Sequence, residues 1–168
     1  MPSVQSLAAG QYYATPRNRF WPLMGALVGF DPAVPYTTRL SELTGAGIAL
    51  WDVLQSCERE GSLDASIVES TEVANDFEAF FETHPHVRAV VFNGQKAAKS
   101  FQKRARLSTA VRDRLDFVGL PSTSPANARY TLALLVDEWR AALRLLDLSL
   151  LGLESGARGR RSWPRRSQ

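Results

Sequence analysis

The chain is poor in soft ligands: one cysteine, Cys57, and two histidines, His84 and His86, among 168 residues. A single thiol cannot form an internal disulfide, which fits a reducing cytoplasm. So sparse a set argues against a zinc site and excludes a four-cysteine iron–sulfur cluster, so no metal is expected. His84-Pro85-His86 reads as a surface turn and Cys57 as a packed or surface thiol, neither with a catalytic role. Long apolar runs are missing too. No stretch reaches the roughly 18 residues of a membrane span, and no secretory signal opens the chain. A cytoplasmic protein without a membrane partner is therefore expected, associated with the nucleoid if the source is bacterial.

The body also lacks an excess of either charge, although the sequence pI is about 9.3. Residues 154–168 hold five arginines (Arg158, Arg160, Arg161, Arg165 and Arg166) and one acid, Glu154. Removing them from the totals of 20 basic and 17 acidic residues leaves 15 and 16, a net charge of −1. The basic character belongs to a Gly/Ser/Arg tail, residues 151–168, which reads as disordered. The tail either adds salt-sensitive attraction to nucleic acid or is simply solvated. Residues 1–150 read as one domain, long enough to bury a core, and the whole chain has 45% apolar and 22% charged residues, as in ordinary globular proteins.

Strand, tight turn and helix follow one another in the middle of the chain. Val87 to Phe92 is a β-rich apolar run, Asn93-Gly94 turns it, and Gln95 to about Ala105 has helical spacing. Upstream, Asn75 to Thr83 reads as an amphipathic helix capped by Asn75 or Asp76, with Phe77, Phe80 and Phe81 on its apolar face. Ile48 to Leu54 and Arg114 to Val118 read as further buried strands, and Phe20 to Val28 and Arg129 to Leu148 as helices. In the last helix Leu132, Leu135, Trp139, Leu143 and Leu146 fall on the inward side. This order suggests a parallel α/β fold, whose ligands gather at the carboxyl ends of the strands. The loops at Asp52, Asn93 and Pro121 would meet there.

The densest chemistry lies in Gln11-Tyr12-Tyr13-Ala14-Thr15-Pro16-Arg17-Asn18-Arg19-Phe20-Trp21. Flat aromatic faces suit stacking on a planar ligand, Arg suits phosphate, and a carboxamide is both donor and acceptor. Together they describe a nucleobase pocket beside a nucleic-acid backbone. Each residue has a plainer reading as well. Asn18 precedes an apolar helical run and suits an N-cap, while Tyr12 and Tyr13 suit half-buried packing. The loop Leu120-Pro121-Ser122-Thr123-Ser124-Pro125-Ala126-Asn127 suits phosphate contacts, helped by the dipole of the following helix, or a helix cap at Asn127. Asn93-Gly94 suits a plain turn.

Read in order, the first motif, Gly47-Ile48-Ala49-Leu50-Trp51-Asp52-Val53-Leu54, Val91-Phe92-Asn93-Gly94-Gln95-Lys96-Ala97, and the Leu120–Asn127 loop form a recognisable series. The chain resembles the hypoxanthine-DNA (deoxyinosine) glycosylase family of the uracil-DNA glycosylase superfamily over about residues 1–148. More distantly it is similar to the mismatch-specific uracil/thymine glycosylases. The resemblance implies a three-layer α/β/α fold with a parallel sheet of about four strands. It implies a monofunctional, cofactor-free DNA N-glycosylase that removes hypoxanthine, with uracil as a second substrate, from deaminated DNA, acting as a monomer. By the same resemblance Asn18 is catalytic, orienting water and donating to the base. Tyr13, with Tyr12 and Asn93, lines the base pocket. Arg17, Ser122, Thr123, Ser124 and Asn127 contact DNA.

Two departures accompany the resemblance. Family members carry His where this chain has Thr15. They also carry an apolar strand ahead of the first motif, whose closing turn aligns with Met1-Pro2-Ser3, so the first strand is expected to be missing and the domain N-terminally truncated. Loss of such a strand exposes apolar faces and unpaired backbone groups, costing on the order of several kcal/mol or more. Rival readings are a G/U or G/T mismatch-specific uracil/thymine DNA glycosylase and an inactive, truncated nucleic-acid-binding protein.

Overall fold

The computed structural model describes residues 2–146; the tail expected at 151–168 lies outside the described residues. Two strands carry the architecture. β3 (Ala89–Asn93) lies parallel to β4 (Asp116–Leu120), in register from Ala89↔Asp116 to Asn93↔Leu120. Successive side chains in a strand point to opposite faces. Val91, Val118 and Leu120 accordingly join one apolar core, while Val90, Phe92 and Phe117 join another.

The first core is filled by α2 (Phe20–Met24), α3 (Tyr36–Gly45) and α7 (Leu132–Leu145). Leu135, Trp139 and Leu143 recur at helical spacing and are buried on one face of α7. Leu23 and Leu135 are completely buried, each contributing about 1.5–3 kcal/mol. The second core is filled by α4 (Phe77–Thr83), α5 (Gln95–Arg104) and α6 (Thr109–Asp113). Helices thus cover both faces of a parallel sheet, the three-layer α/β/α arrangement that the resemblance implied. Asp76 caps α4 by accepting from the Ala79 amide at 3.1 Å.

Several boundaries differ from expectation. α7 starts at Leu132 rather than Arg129, because the Thr131 hydroxyl caps it by accepting from Leu134 N–H at 3.3 Å. Leu132, at the mouth of the helix, is exposed rather than inward. The helix expected over Phe20–Val28 is split, α2 passing into a π-helical turn at Gly25–Gly29. A side chain on Gly25 would meet Phe30 O at 2.6 Å, so the widened turn depends on its absence.

The larger correction concerns Ile48–Leu54, which does not form a buried strand. Residues 48–53 are irregular, and Trp51 is exposed while packing edge-on against Phe77. Only Leu54–Ser56 (β1) is extended, pairing antiparallel with Val73–Ala74 (β2). A strand needs a neighbour for its backbone groups. Among the described residues β3 pairs with β4 alone, so the parallel sheet has two strands instead of about four. α1 (Val4–Ala9) precedes the whole and is capped by Ser3.

The β1–β2 flank is tied to α5 through a buried carboxylate. Glu72 accepts from Lys96 Nζ, from Ser100 Oγ at 3.3 Å and from Arg104 Nε at 3.4 Å. Those three residues sit four apart on α5, so one helix face presents them together. Burial raises the Glu72 pKa, but the bonds and charge of Lys96, then Arg104 and Ser100, outweigh it and leave the carboxyl below its usual value. A depressed folded pKa stabilises fully above the unfolded value of 4.5, and that contribution is lost as pH falls through the folded value. Glu72→Ala should destabilise the fold by about 2–3 kcal/mol, because Lys96 and Arg104 keep some solvent access. Urea unfolding at neutral pH and again below pH 4 checks this: the difference between mutant and parent should shrink in acid.

Candidate active site

The register Asn93↔Leu120 brings the carboxyl ends of β3 and β4 side by side. Gly94, which follows β3, has φ +104° and donates to Leu120 O at 3.0 Å. A Cβ there would sit 2.9 Å from Ser122 Cβ, so glycine is what lets the β3 turn close on the Pro121–Asn127 loop.

That loop is held from two sides. Trp139 of α7 donates Nε1–H to Pro121 O at 3.2 Å. Arg19, at the start of α2, spreads its guanidinium over backbone carbonyls: Ser124 O at 2.6 Å, Asn127 O at 3.0 Å, Thr123 O at 3.5 Å, and Tyr130 O. Its own amide donates to Thr123 O at 3.1 Å. A planar fork of five donors suits such an array, which a lysine cannot match. The sequence reading missed Arg19. Beside Asn18 it looked like any other cation, and carbonyls more than 100 residues away leave no local signal.

Thr123 is the centre of the site. Its side chain is fully buried. Its Oγ donates to Asn18 Oδ1 at 3.0 Å and accepts from Asn93 Nδ2 at 2.9 Å, while its amide donates to Asn93 Oδ1 at 2.9 Å. Asn93 Nδ2 also donates to the Tyr13 hydroxyl at 3.1 Å. Tyr13, Asn93, Thr123 and Asn18 thus form one hydrogen-bonded chain. With its hydroxyl, amide and carbonyl all engaged inside the protein, Thr123 is not placed for the phosphate contact expected of it.

Asn18 precedes Arg19, the N-cap of α2, and its side chain bonds in two directions. Its Oδ1 accepts from the Phe20 amide at 2.9 Å, which steadies the start of α2. It also reaches the site through Thr123. The oxygen is therefore occupied, whereas Nδ2 bonds to no other described residue. Orientation of a water through that oxygen, part of the expected role, is not open to it in this geometry.

Tyr13 has φ +54°, the one non-glycine residue with positive φ among those described. A bulky residue there is strained by about 1 kcal/mol or more. Phe20 stacks on one ring face, with centroids 3.9 Å apart and planes 18° apart. Burial is the main cause pushing the Tyr13 hydroxyl up to about 12, so the phenol stays protonated through the neutral range. Tyr12 packs nearby, its ring centroid 6.5 Å from that of Tyr13. Its backbone is fixed at both ends, N–H to Tyr36 Oη and C=O from Trp21 Nε1, each at 3.0 Å. Burial also raises the pKa of Asp52, whose charge acts on both tyrosines.

The remaining predicted residues spread along the rim. Arg17 is exposed. Ser122 and Ser124 are half-buried and cap amides within the loop: Ser122 Oγ accepts from Ser124 N at 3.2 Å, and Ser124 Oγ from Ala126 N at 3.3 Å. Asn127 turns back to donate to Ser122 O at 2.9 Å, so it caps no helix, and α7 begins too late for its dipole to face the serines. Thr15 bonds to the Ser3 hydroxyl at 3.0 Å. Among the described residues no cluster of three His, Cys, Asp or Glu side chains could hold a metal.

Layers, strand-end site and ordered motifs place the chain in the uracil-DNA glycosylase superfamily. No protein-family model matches it. It is 35% identical over 147 residues to a hypoxanthine DNA glycosylase of Methanosarcina acetivorans, covering 86% of each chain. A hypoxanthine DNA glycosylase of Methanosarcina barkeri is 36% identical over 100 residues, 59% of this chain and 62% of the relative. A solution NMR structure from Methanosarcina acetivorans, of a protein provisionally named a uracil DNA glycosylase, matches with a TM-score of 0.68 and 34% identity over 87% of this chain and 86% of that one. The chain belongs to the hypoxanthine DNA glycosylase family.

Arg19→Lys keeps the charge but loses the fork. Amide hydrogen exchange at Ser124 and Asn127 should then accelerate by about tenfold or more, with β3 unchanged. Unaltered exchange in the loop would show that Arg19 does not hold it.

Proposed function

We propose that the chain is a DNA repair glycosylase that hydrolyses the N-glycosidic bond of deaminated bases, hypoxanthine first and uracil second. The observation that carries this reading is the hydrogen-bonded chain joining Tyr13 and Asn18 to Asn93 and Thr123 at the strand ends, in a member of this family. A base inside a duplex cannot be reached, so the nucleotide must leave the stack. The face of Tyr13 opposite Phe20 receives it, and the fixed phenol and carboxamides meet its edge. Arg17, Ser122 and Ser124 hold the flanking phosphates, with Asn127 shaping their loop.

Cleavage breaks the bond from C1′ to the base nitrogen, and the electron pair leaves with the base. Water then supplies the oxygen that bonds to C1′, and the proton it loses neutralises the departed base. Negative charge develops on the departing base, so donors placed where that charge appears lower the barrier. Asn18 Nδ2 is such a donor. A carboxamide is neutral at working pH, so Asn18 acts by position and not as a base. The reaction as drawn needs no cofactor, and a single chain contains all the residues invoked; we propose a monomer acting in the cytoplasm.

Base release from duplexes containing inosine, uracil or a mismatched thymine tests the reading. Inosine should be cleaved best. Strong release of uracil with none of hypoxanthine would favour a mismatch-type uracil/thymine enzyme instead. Asn18→Ala should lower single-turnover release by about 100-fold or more while duplex affinity changes by no more than about threefold. A fully active Asn18→Ala would leave Asn18 with a structural role alone, holding the turn before α2.

A further inference from the structure

Arg39 of α3 is a cation that the protein holds in place without neutralising it. Trp21 and Tyr36 meet edge-on, with centroids 5.7 Å apart and planes at 89°, and form a corner. The Arg39 guanidinium sits in that corner, its Cζ 4.7 Å from the centroid of the Trp21 ring and 5.6 Å from that of Tyr36. Ring faces attract a cation but leave its hydrogen-bond donors unfilled. Arg39 Nε is buried and has no acceptor, the one side-chain nitrogen or oxygen in that state among the described residues. Nη1 and Nη2 are also unbonded, and they are not buried. By contrast, Arg19, Arg59, Arg104 and Arg114 give their donors to carbonyls or carboxylates. The ion pairs among the described residues belong to Arg59, Lys96, Lys103 and Arg104, so Arg39 has no carboxylate partner there.

The same two rings hold the segment that carries Tyr13. Tyr36 Oη accepts from the Tyr12 amide, and Trp21 Nε1 donates to the Tyr12 carbonyl, each at 3.0 Å. Arg39 is thereby fixed one ring away from the backbone next to Tyr13. Arginine stays charged at any working pH, and two of its donors match two oxygens of one phosphate. Duplex DNA presents a phosphate about every 3.4 Å along each strand. We propose that Arg39 is a phosphate-binding residue for the DNA strand whose base is seated against Tyr13, taking a backbone phosphate on Nη1 and Nη2. The inference rests on the proposed glycosylase reading and adds to it a contact from α3, separate from the loop after β4. Stacking fixes the guanidinium before DNA arrives, so little side-chain freedom is lost on binding.

Salt-dependent binding tests the site. The probe is a duplex with one uncleavable 2′-fluoro hypoxanthine nucleotide, titrated from about 50 to 200 mM NaCl. Arg39→Gln should weaken binding by about threefold to tenfold near the middle of that range and lower the log–log salt slope by about one, equally for an undamaged duplex. Arg39→Lys keeps the charge and should keep the slope. Arg112→Gln removes an exposed arginine of α6, on the other face of the sheet, and should leave the slope as it is. Arg39→Met, which retains an unbranched stem over Trp21, takes the place of Arg39→Gln if that variant lacks cooperative melting. A folded Arg39 variant without the charge that keeps the parent slope overturns the inference, even if its affinity falls, because Arg39 would then act by packing alone. An equal drop in slope for Arg112→Gln overturns it too, since any surface charge would then serve. Release of hypoxanthine from a cleavable duplex separates the two readings. Release by the parent, with the slope unchanged in Arg39→Gln, overturns the phosphate site alone; an Arg39-dependent slope without release supports that site and overturns the glycosylase reading.

Discussion

Burying Thr123 obliges its hydroxyl, amide and carbonyl to find partners inside the protein, since each unpaired polar atom would cost about 1–3 kcal/mol. The partners are Asn18, Asn93 and Arg19. Three segments far apart in sequence are thereby held at one point: the turn before α2, the end of β3 and the loop after β4. Most of what the site can do depends on that point. It orients two carboxamides, brings the Tyr13 hydroxyl within reach of one of them, and anchors the loop after β4.

The parallel pair β3–β4 makes this junction possible. Because the strands run the same way and in register, Asn93 and the loop after Leu120 emerge together. The helices on both faces keep the pair rigid through separate cores. Arg19 and Trp139 then remove the freedom of the loop by bonding its carbonyls from α2 and α7. A loop whose backbone is satisfied by fixed side chains can present Ser122 and Ser124 in one arrangement, which is what preorganised recognition requires.

Elements with strong local patterns were legible in advance. β3, α4 with its Asp76 cap, and α5 follow from side-chain alternation, helical spacing and one capping carboxylate, all set within a few residues. Ile48–Leu54 was not legible. Its composition suits a strand, but a strand forms only beside another, and the described residues offer it no parallel neighbour. The start of α7 was not legible for a related reason: Arg129 and Tyr130 suit a helix, yet Arg19 takes up the Tyr130 carbonyl and Thr131 caps the chain there.

At the site, residue types and order were enough to single out Tyr13, Asn18 and Asn93 and to point to the family, because motif chemistry is written locally. The sequence by itself therefore determined which groups are available: a stacking ring, two carboxamides and a hydroxyl loop. Only the tertiary structure decided how they are used. Asn18 and Thr123 are 105 residues apart, Tyr13 and Asn93 80 apart, and no local pattern says which lone pair is filled. Donor or acceptor character at a substrate is what remains after internal bonds are made, so it belongs to the folded chain and not to the residue.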